Sequence, residues 1–248
     1  MKDISYVDMI KLIAFIIFLI MPPWFAMLGQ LKKRIPAFLT VLMTLGYTFI
    51  CTFGLLLSQF TQTIIPFILV LITIHLAKKN NDNNEINYYL RSLSGRKKKV
   101  IWYSILFKIA TLIITMYFVY ELQKLGFAVK EQEISNQFMN EDIISVILLS
   151  ILAVVIAPVL EEFVFRHILY RGFAMKIGRV LSAILTSIMF TVLHFNLASS
   201  AAIFSVGLFN CYLYEREGYR AAVLSHFIFN LTSVVMALLV RFSGFNLT

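Results

Sequence analysis

The sequence predicts an all-α protein, a polytopic bundle of about eight transmembrane helices. Of its 248 residues, 60% are hydrophobic and only 14% are charged, and the mean hydropathy is +0.83. A soluble domain is about 45–50% apolar and about 25% charged. The apolar residues also form runs near the ~20 residues that a helix needs to cross a bilayer. The basic residues fall between these runs.

Eight apolar segments follow one another along the chain. They cover residues 8–29, 36–57, 62–78, 100–122, 143–175, 179–196, 198–214 and 220–240. The fifth segment is too long for one simple span, so we expect a membrane helix with a continuation and a candidate kink at Pro158. We expect one integral membrane unit, in which residues 1–125 form a scaffold of four spans and residues 143–240 form the functional core.

Basic residues predict the orientation, because cytoplasmic loops are enriched in Lys and Arg. On one side of an eight-span bundle, four loops contain Lys32, Lys33 and Arg34; Lys78, Lys79, Arg91, Arg96, Lys97, Lys98 and Lys99; Arg171, Lys176 and Arg179; and Arg216 and Arg220. One of these includes a polar, Asn-rich loop over residues 80–87. The opposite loops contain few basic residues, and in residues 123–142 four acidic residues outnumber Lys124 and Lys130. We therefore predict that both termini lie outside and attribute the net charge of +9 to topology, not to nucleic-acid binding.

Neither cysteine has the spacing of a metal site or an evident disulfide partner. Cys51 and Cys211 lie in separate apolar segments, which favours buried thiols. The first apolar segment lacks a small-residue cleavage site, so we expect it to be retained as a membrane helix.

A pair of adjacent glutamates stands at the end of the apolar run 143–160. A carboxylate at bilayer depth costs several kcal/mol and marks a candidate functional site. Arg166 follows Glu162 by four residues, so the two share a helix face and can pair. Glu161 points about 100° away at 3.6 residues per turn, and a desolvated carboxylate there suits a general base. An interfacial helix with a solvated ion pair explains the same spacing.

Two later apolar segments each contain a histidine. Phe190 precedes His194 by one turn and is placed to pack against its ring. His226 and Asn230 are also one turn apart, so both polar groups leave one helix face, as an oxyanion site requires. Each motif alone is also explained by structural hydrogen bonds between helices.

The three motifs together resemble a known family. EExxxR (Glu161, Glu162, Arg166), FxxxH (Phe190, His194) and HxxxN (His226, Asn230), in this order on hydrophobic segments, are similar to the CPBP or Abi family of intramembrane proteases. This family includes CAAX prenyl endopeptidases and bacteriocin-immunity proteins. The resemblance covers about residues 143–240, and the first four segments share only their apolar character with the family.

The resemblance implies a role for each residue of the motifs. Glu161 would act as the general base on a water molecule, and His194 would orient or activate that water. His226 and Asn230 would stabilise the tetrahedral oxyanion, while Glu162 and Arg166 would hold the shape of the site. One glutamate with two histidines also resembles a zinc-ligand set, with Glu161, His194 and His226 as candidates. Neither histidine stretch has HExxH spacing, so the sequence leaves zinc or no metal as alternatives.

The sequence thus predicts an intramembrane endopeptidase of the bacterial plasma membrane. Its partners would be the bilayer and a peptide or lipidated protein of CAAX-like, peptide-pheromone or bacteriocin type, and family analogy adds bacteriocin self-immunity. Two other hypotheses remain. Intramembrane Glu and His residues also form proton relays in transporters, and the same fold could protect a cell as a non-enzymatic immunity scaffold.

Overall fold

The computed structural model describes residues 6–31, 35–57, 59–91, 93–127, 129 and 133–243, and this part of the chain consists of helices and turns without a strand. The predicted fold class, an all-α transmembrane bundle, is confirmed. The basic cluster Lys32, Lys33 and Arg34, which contributed to the predicted orientation, lies outside the described residues.

The described residues form ten helices, which we number in chain order. α1 joins Tyr6–Phe15, a π-helical turn at Ile16–Ile20, and Met21–Leu31; α2 is Ala37–Leu57; α3 is Gln59–Lys79; α4 is Asn83–Leu90; α5 is Lys97–Lys124; α6 is Glu133–Asn140; α7 is Ile143–Ile177; α8 is Arg179–Val192; α9 is Ser200–Glu217; and α10 is Tyr219–Ser243. Eight of these match the predicted apolar segments, including the long fifth segment, which is the continuous helix α7.

The helices differ in their ability to cross a bilayer. By length and composition, four candidate spans are present within the described residues: Met9–Leu31, Lys97–Lys124, Ile143–Ile177 and Tyr219–Ser243. α8 has only 14 residues, fewer than the ~20 that span the hydrocarbon core. Large apolar side chains such as Phe38, Met116 and Phe242 are exposed on the outside of the bundle, as expected for lipid contact and not for a soluble protein.

Two segments interpreted from sequence as loops contain short helices. The Asn-rich stretch becomes α4, and Asp82 caps it by accepting the backbone N–H of Glu85 at 3.2 Å. Residues 133–140 of the acidic loop become α6. Asp142 then caps α7, and its hydrogen bonds from Ser145 and the following backbone lower the pKa of this carboxyl. Both helices have only eight residues and are too polar to form an apolar run that could cross a bilayer. The hydropathy pattern therefore gave no sign of them.

Pro158 lies within the continuous helix α7. A π-helical turn, Leu152–Ile156, ends two residues before it, and a second turn of this type, Phe163–Tyr170, follows. Proline lacks an N–H and clashes with the carbonyl one turn earlier, so the wider π turn accommodates it. The same arrangement occurs in α1, where Ile16–Ile20 precedes Pro22.

α7 lies at the centre of the bundle. All of its residues 160–167, apolar and polar alike, are buried, except Glu161, which is partly accessible. Leu160, Phe163, Val164 and Phe165 form one core cluster with residues of other helices, which include Leu19, Val70, Ala77, Phe190, Cys211, Tyr214 and Ala222. The segment with the glutamate pair is therefore held by packing on several sides.

A close approach of α8 and α9 depends on Gly207. A Cβ atom at this position would lie 2.8 Å from Cβ and Oγ of Ser187, closer than real Cβ contacts allow. We expect Gly207→Ala to destabilise the protein by about 1–3 kcal/mol through overpacking, measured as a lower thermal midpoint in detergent. Gly46→Ala, where nothing lies within 4 Å, is the matched control; an equal effect of both changes would contradict the steric explanation.

Candidate active site

Glu162 is the buried centre of a polar cluster formed by α7, α9 and α10. Its Oε1 accepts a hydrogen bond from Asn210 Nδ2 at 2.9 Å and lies 2.7 Å from Nδ1 of His226. Its Oε2 lies 3.1 Å from Nε of Arg166. Side-chain exposure is 0% for Glu162 and 1% for Arg166. A charge buried to this degree needs partners, and the three helices supply them.

The predicted pairing of Glu162 with Arg166 is present in the structure. The contact is an ion pair without the alignment of a hydrogen bond. The guanidinium also donates from Nη2 to the carbonyl of Gly207 at 3.4 Å and lies over the ring of Phe190, 4.7 Å from its centroid. Phe190 packs against His194 as predicted, with ring centroids 4.7 Å apart. The same ring thus contacts both the arginine and the histidine.

His226 lies between the two glutamates. Its Nδ1 faces Glu162, and its Nε2 lies 3.7 Å from Oε2 of Glu161. Because an ionised carboxylate can only accept, Nδ1 is the donor to Glu162. In the neutral ring Nε2 is then an acceptor, and in the charged ring it is a donor. The side chain of Glu161 is 18% exposed. Glu161, which the helical period placed away from the ion pair of Glu162 and Arg166, is therefore also the more accessible glutamate.

His194 and Asn230 are held by backbone carbonyls. Nδ1 of His194 lies 2.8 Å from the carbonyl oxygen of Phe190, which makes Nδ1 the donor, and the side chain is exposed. No hydrogen bond or ion pair joins His194 to Glu161 in the described part of the chain. Asn230 donates from Nδ2 to the carbonyl of Ala153 at 2.8 Å. It makes no hydrogen bond to His226 in this part of the chain, although both residues lie on one face of α10.

The bond from Asn230 to Ala153 has a local cause in α7. In the π-helical turn, backbone N–H groups bond five residues back, and Ala157 donates to the carbonyl of Leu152 in this way. The next residue is Pro158, which has no N–H, so the carbonyl of Ala153 lacks a helical donor. Asn230 supplies it. One amide hydrogen of Asn230 is used in this bond, and a primary amide has a second.

The proposed zinc ligands do not assemble into a metal site. Among the residues that the structure describes, no three His, Cys, Asp or Glu side chains are grouped closely enough to hold a metal ion. Glu161 and His226 are neighbours, but His194 does not join them. The donor set in this arrangement does not fit a tetrahedral site, which takes at least three protein ligands.

Sequence reasoning missed Asn210, the fully buried side chain that donates to Glu162. The available signal was an asparagine inside an apolar segment, a position where polar side chains bond across helices. It also missed a second polar cluster, which begins at His167, the residue directly after Arg166. There His167 contacts Tyr214 through Nδ1 at 2.9 Å and Glu85 through Nε2 at 2.7 Å. Arg171 donates to the other oxygen of Glu85 at 2.7 Å.

This second cluster ties the short helix α4 to α7 and predicts a pH dependence of stability. Burial alone would raise the pKa of Glu85, but its bonds and charge interactions with His167 and Arg171 lower that pKa to about 2 from 4.5. A carboxyl with a lowered pKa in the folded state stabilises the protein above the unfolded pKa, and this stability is lost as pH falls through the folded pKa.

We expect Glu85→Gln to lower the thermal midpoint at pH 7 because the charged contacts are lost. The difference from wild type should shrink as pH falls from about 4.5 towards 2, since wild-type Glu85 then becomes neutral too. Thermal unfolding in detergent at several pH values measures this. A difference that stays constant over that range would show that Glu85 acts through packing and not through charge.

Comparisons with known proteins gave one family match. Residues 143–232 match the family described as type II CAAX prenyl endopeptidase Rce1-like. The match includes all three motifs and confirms the resemblance to CPBP-type membrane proteases, and it supports intramembrane endopeptidase activity in general terms. The searches of curated proteins and of solved structures each gave no match.

Proposed function

We propose that this membrane protein, whose residues 143–232 match the Rce1-like family, hydrolyses a peptide bond with a water molecule activated by Glu161. The observation that supports this most directly is the 3.7 Å gap between Glu161 Oε2 and His226 Nε2. It is too long for a direct hydrogen bond and suits a water that bonds to both groups. Residues 143–240 would then be the protease core and residues 1–125 its scaffold.

The proton movements follow from the two carboxylates. Glu161, the accessible carboxylate, accepts a proton from the water while the water oxygen attacks the scissile carbonyl. Glu161 later gives this proton to the leaving amine. Glu162 stays ionised, because Arg166 balances its charge and Asn210 donates to it. It fixes His226 with Nδ1–H bonded and Nε2 turned towards Glu161.

The negative charge that develops on the carbonyl oxygen needs preorganised donors. His226 supplies Nε2–H when its ring carries both protons, because its Nδ1–H is already bonded to Glu162. The second amide hydrogen of Asn230 is the other proposed donor, and the bond to Ala153 fixes its direction. His194 orients the water or substrate through Nε2, because its Nδ1 is bonded to the backbone. No metal takes part in these steps.

An apolar cavity of about 590 Å³ favours a lipid-modified substrate. It lies between α1 and α7 and is lined by Ile17, Met21, Pro22, Phe25, Ala26 and Ile168. Ile168 follows Glu161 by seven residues, or about 10 Å along a helix. A lipid chain on the substrate could occupy this cavity while the adjacent peptide bond meets Glu161. We propose a CAAX-like, pheromone or bacteriocin-type substrate in the bacterial plasma membrane, with self-immunity as the physiological role.

The deciding experiment uses purified wild type in liposomes that hold both a peptide substrate and a pH-sensitive dye. The peptide has an S-farnesyl cysteine followed by Val-Ile-Met, and mass spectrometry identifies the products. Release of a defined C-terminal fragment without proton flux supports the endopeptidase. Proton flux without cleavage would instead support the relay. Elemental analysis of the active sample, with and without chelator, decides whether a metal is required.

The immunity scaffold is tested separately in cells. If the endopeptidase underlies self-immunity, replacing both Glu161 and His194 should remove protection against the bacteriocin. Protection that survives this double replacement would support a binding scaffold.

A further inference from the structure

Lys108 is a basic residue in the middle of an apolar helix. It lies about 17 Å from the start of α5 and about 24 Å from its end, at ~1.5 Å per residue, and α5 is one of the candidate membrane spans. An ionisable residue at such depth is costly and marks a functional site by default. Its side chain is half-buried.

The contacts of Lys108 hold its ammonium against α10 but do not neutralise its charge. Nζ donates to Ser233 Oγ at 2.7 Å and lies 5.6 Å from the ring centroid of Phe229. Ser233 in turn donates to the carbonyl of Phe229 at 3.0 Å, so its hydroxyl is fixed as an acceptor for the lysine. Within the described residues, no carboxylate lies within ion-pair distance of Lys108. Neither the hydroxyl of Ser233 nor the ring of Phe229 provides a counter-charge for the ammonium of Lys108.

The register of α10 relates Lys108 to the candidate active site. His226, Asn230 and Ser233 occupy positions i, i+4 and i+7, which lie on one face of a helix. His226 and Ser233 are therefore about 10 Å apart along the helix axis. Ser233 is the farther of the two from the turn between α9 and α10. α7 and α10 are antiparallel, because His226 contacts Glu162 whereas Asn230, farther along α10, contacts the earlier residue Ala153. Ile168 in the apolar cavity therefore lies on the opposite side of the glutamate pair from Ser233 along the bundle axis.

This spacing corresponds to a short piece of extended peptide. Three residues in extended conformation span about 10 Å, so a chain cleaved beside His226 would bring its third following residue to Ser233 and Lys108. A chain that ends there has a carboxylate at its terminus, and an ammonium is its complement in charge. The C-a-a-X motif has three residues after its cysteine, which agrees with this length.

We propose that Lys108, positioned by Ser233, binds the terminal carboxylate of the substrate and so selects the bond three residues from the C-terminus. This proposal rests on the proposed endopeptidase function and adds a specificity residue from α5, outside the matched segment. The lipid end of the substrate and its charged end would then lie on opposite sides of Glu161 along the bundle axis. The chemistry that Lys108 recognises is a carboxylate, which a chain terminus or an acidic side chain can provide.

The test compares three peptides with the same scissile bond. The first ends in Val-Ile-Met with a free carboxylate, the second has a C-terminal amide, and the third replaces the last residue by aspartate and also has the amide. We expect wild type to cleave the free acid about 10- to 100-fold faster in kcat/KM than the amide, as a charged hydrogen bond predicts. Recovery of the rate with the third peptide identifies any suitably placed carboxylate as sufficient, and no recovery restricts recognition to the chain terminus.

Variants of Lys108 complete the test. Lys108→Met should reduce kcat/KM for the free acid to the value for the amide, mainly through KM, and leave cleavage of the amide unchanged. Lys108→Arg should retain most of the preference, and Lys124→Met, at the far end of the same helix, should have no effect. Equal losses on both peptides would overturn the proposal, since they indicate a structural role. Equal cleavage of acid and amide by wild type would overturn it while leaving the endopeptidase intact; only absence of all cleavage would count against the endopeptidase itself.

Discussion

Glu161→Gln is expected to reduce the rate of peptide cleavage by about 100- to 10,000-fold, the usual contribution of a general base. Glutamine keeps the size of the side chain but cannot accept a proton from water. The fold should persist, because Glu161 is partly exposed and its approach to His226 on α10, at 3.7 Å, is too long for a hydrogen bond. The measurement is kcat on the farnesylated peptide, with thermal unfolding in detergent to verify that the variant is folded.

A matched control is available in the chain. Glu141→Gln removes an exposed carboxylate before α7 and should leave both activity and stability unchanged. Glu161→Asp provides a further comparison, because it keeps the carboxylate but withdraws it by one methylene, and we expect partial activity. If Glu161→Gln were folded and as active as wild type, Glu161 would have no part in the chemistry, and the water between Glu161 and His226 would lose its role.

The features that the sequence predicted are those that depend on local periodicity. The length of apolar runs predicts helices such as α5 and α10, because each backbone group in a bilayer must bond within its own helix. The spacing of four residues predicts the ion pair of Glu162 and Arg166, because i and i+4 share a helix face. Both predictions require only one segment of the chain.

The features that the sequence did not predict depend on contacts between distant segments. Asn210 and Glu162 are 48 residues apart, and Glu85 and His167 are 82 apart. A single sequence gives no information about which face of α9 meets α7. Asn230 is an intermediate case, since its position on the face of His226 was correct but its partner, Ala153, results from the π-helical turn before Pro158. Hydropathy has no signal for that turn.

Glu162→Ala is expected to have the second large effect, on stability and on activity together. Removing one partner of a buried ion pair leaves the other charge uncompensated and costs about 3–5 kcal/mol. Here Arg166 would be left with the Gly207 carbonyl and the ring of Phe190 in a site that is closed to water. We expect a large fall in the thermal midpoint in detergent and little recoverable cleavage. This single change cannot separate a structural role of Glu162 from its effect on His226.

The double change Glu162→Met with Arg166→Met separates the two roles. Replacing a buried ion pair by apolar residues of similar volume is often neutral or stabilising, so most of the lost stability should return. Cleavage should not return, because Nδ1 of His226 would have no carboxylate to fix the orientation and tautomer of the ring. We therefore expect a folded variant with cleavage at least about 100-fold below wild type, the usual cost of losing one oxyanion donor. A double variant with wild-type cleavage would show that Glu162 serves only the ion pair, and the orientation of His226 would then depend on helix packing alone.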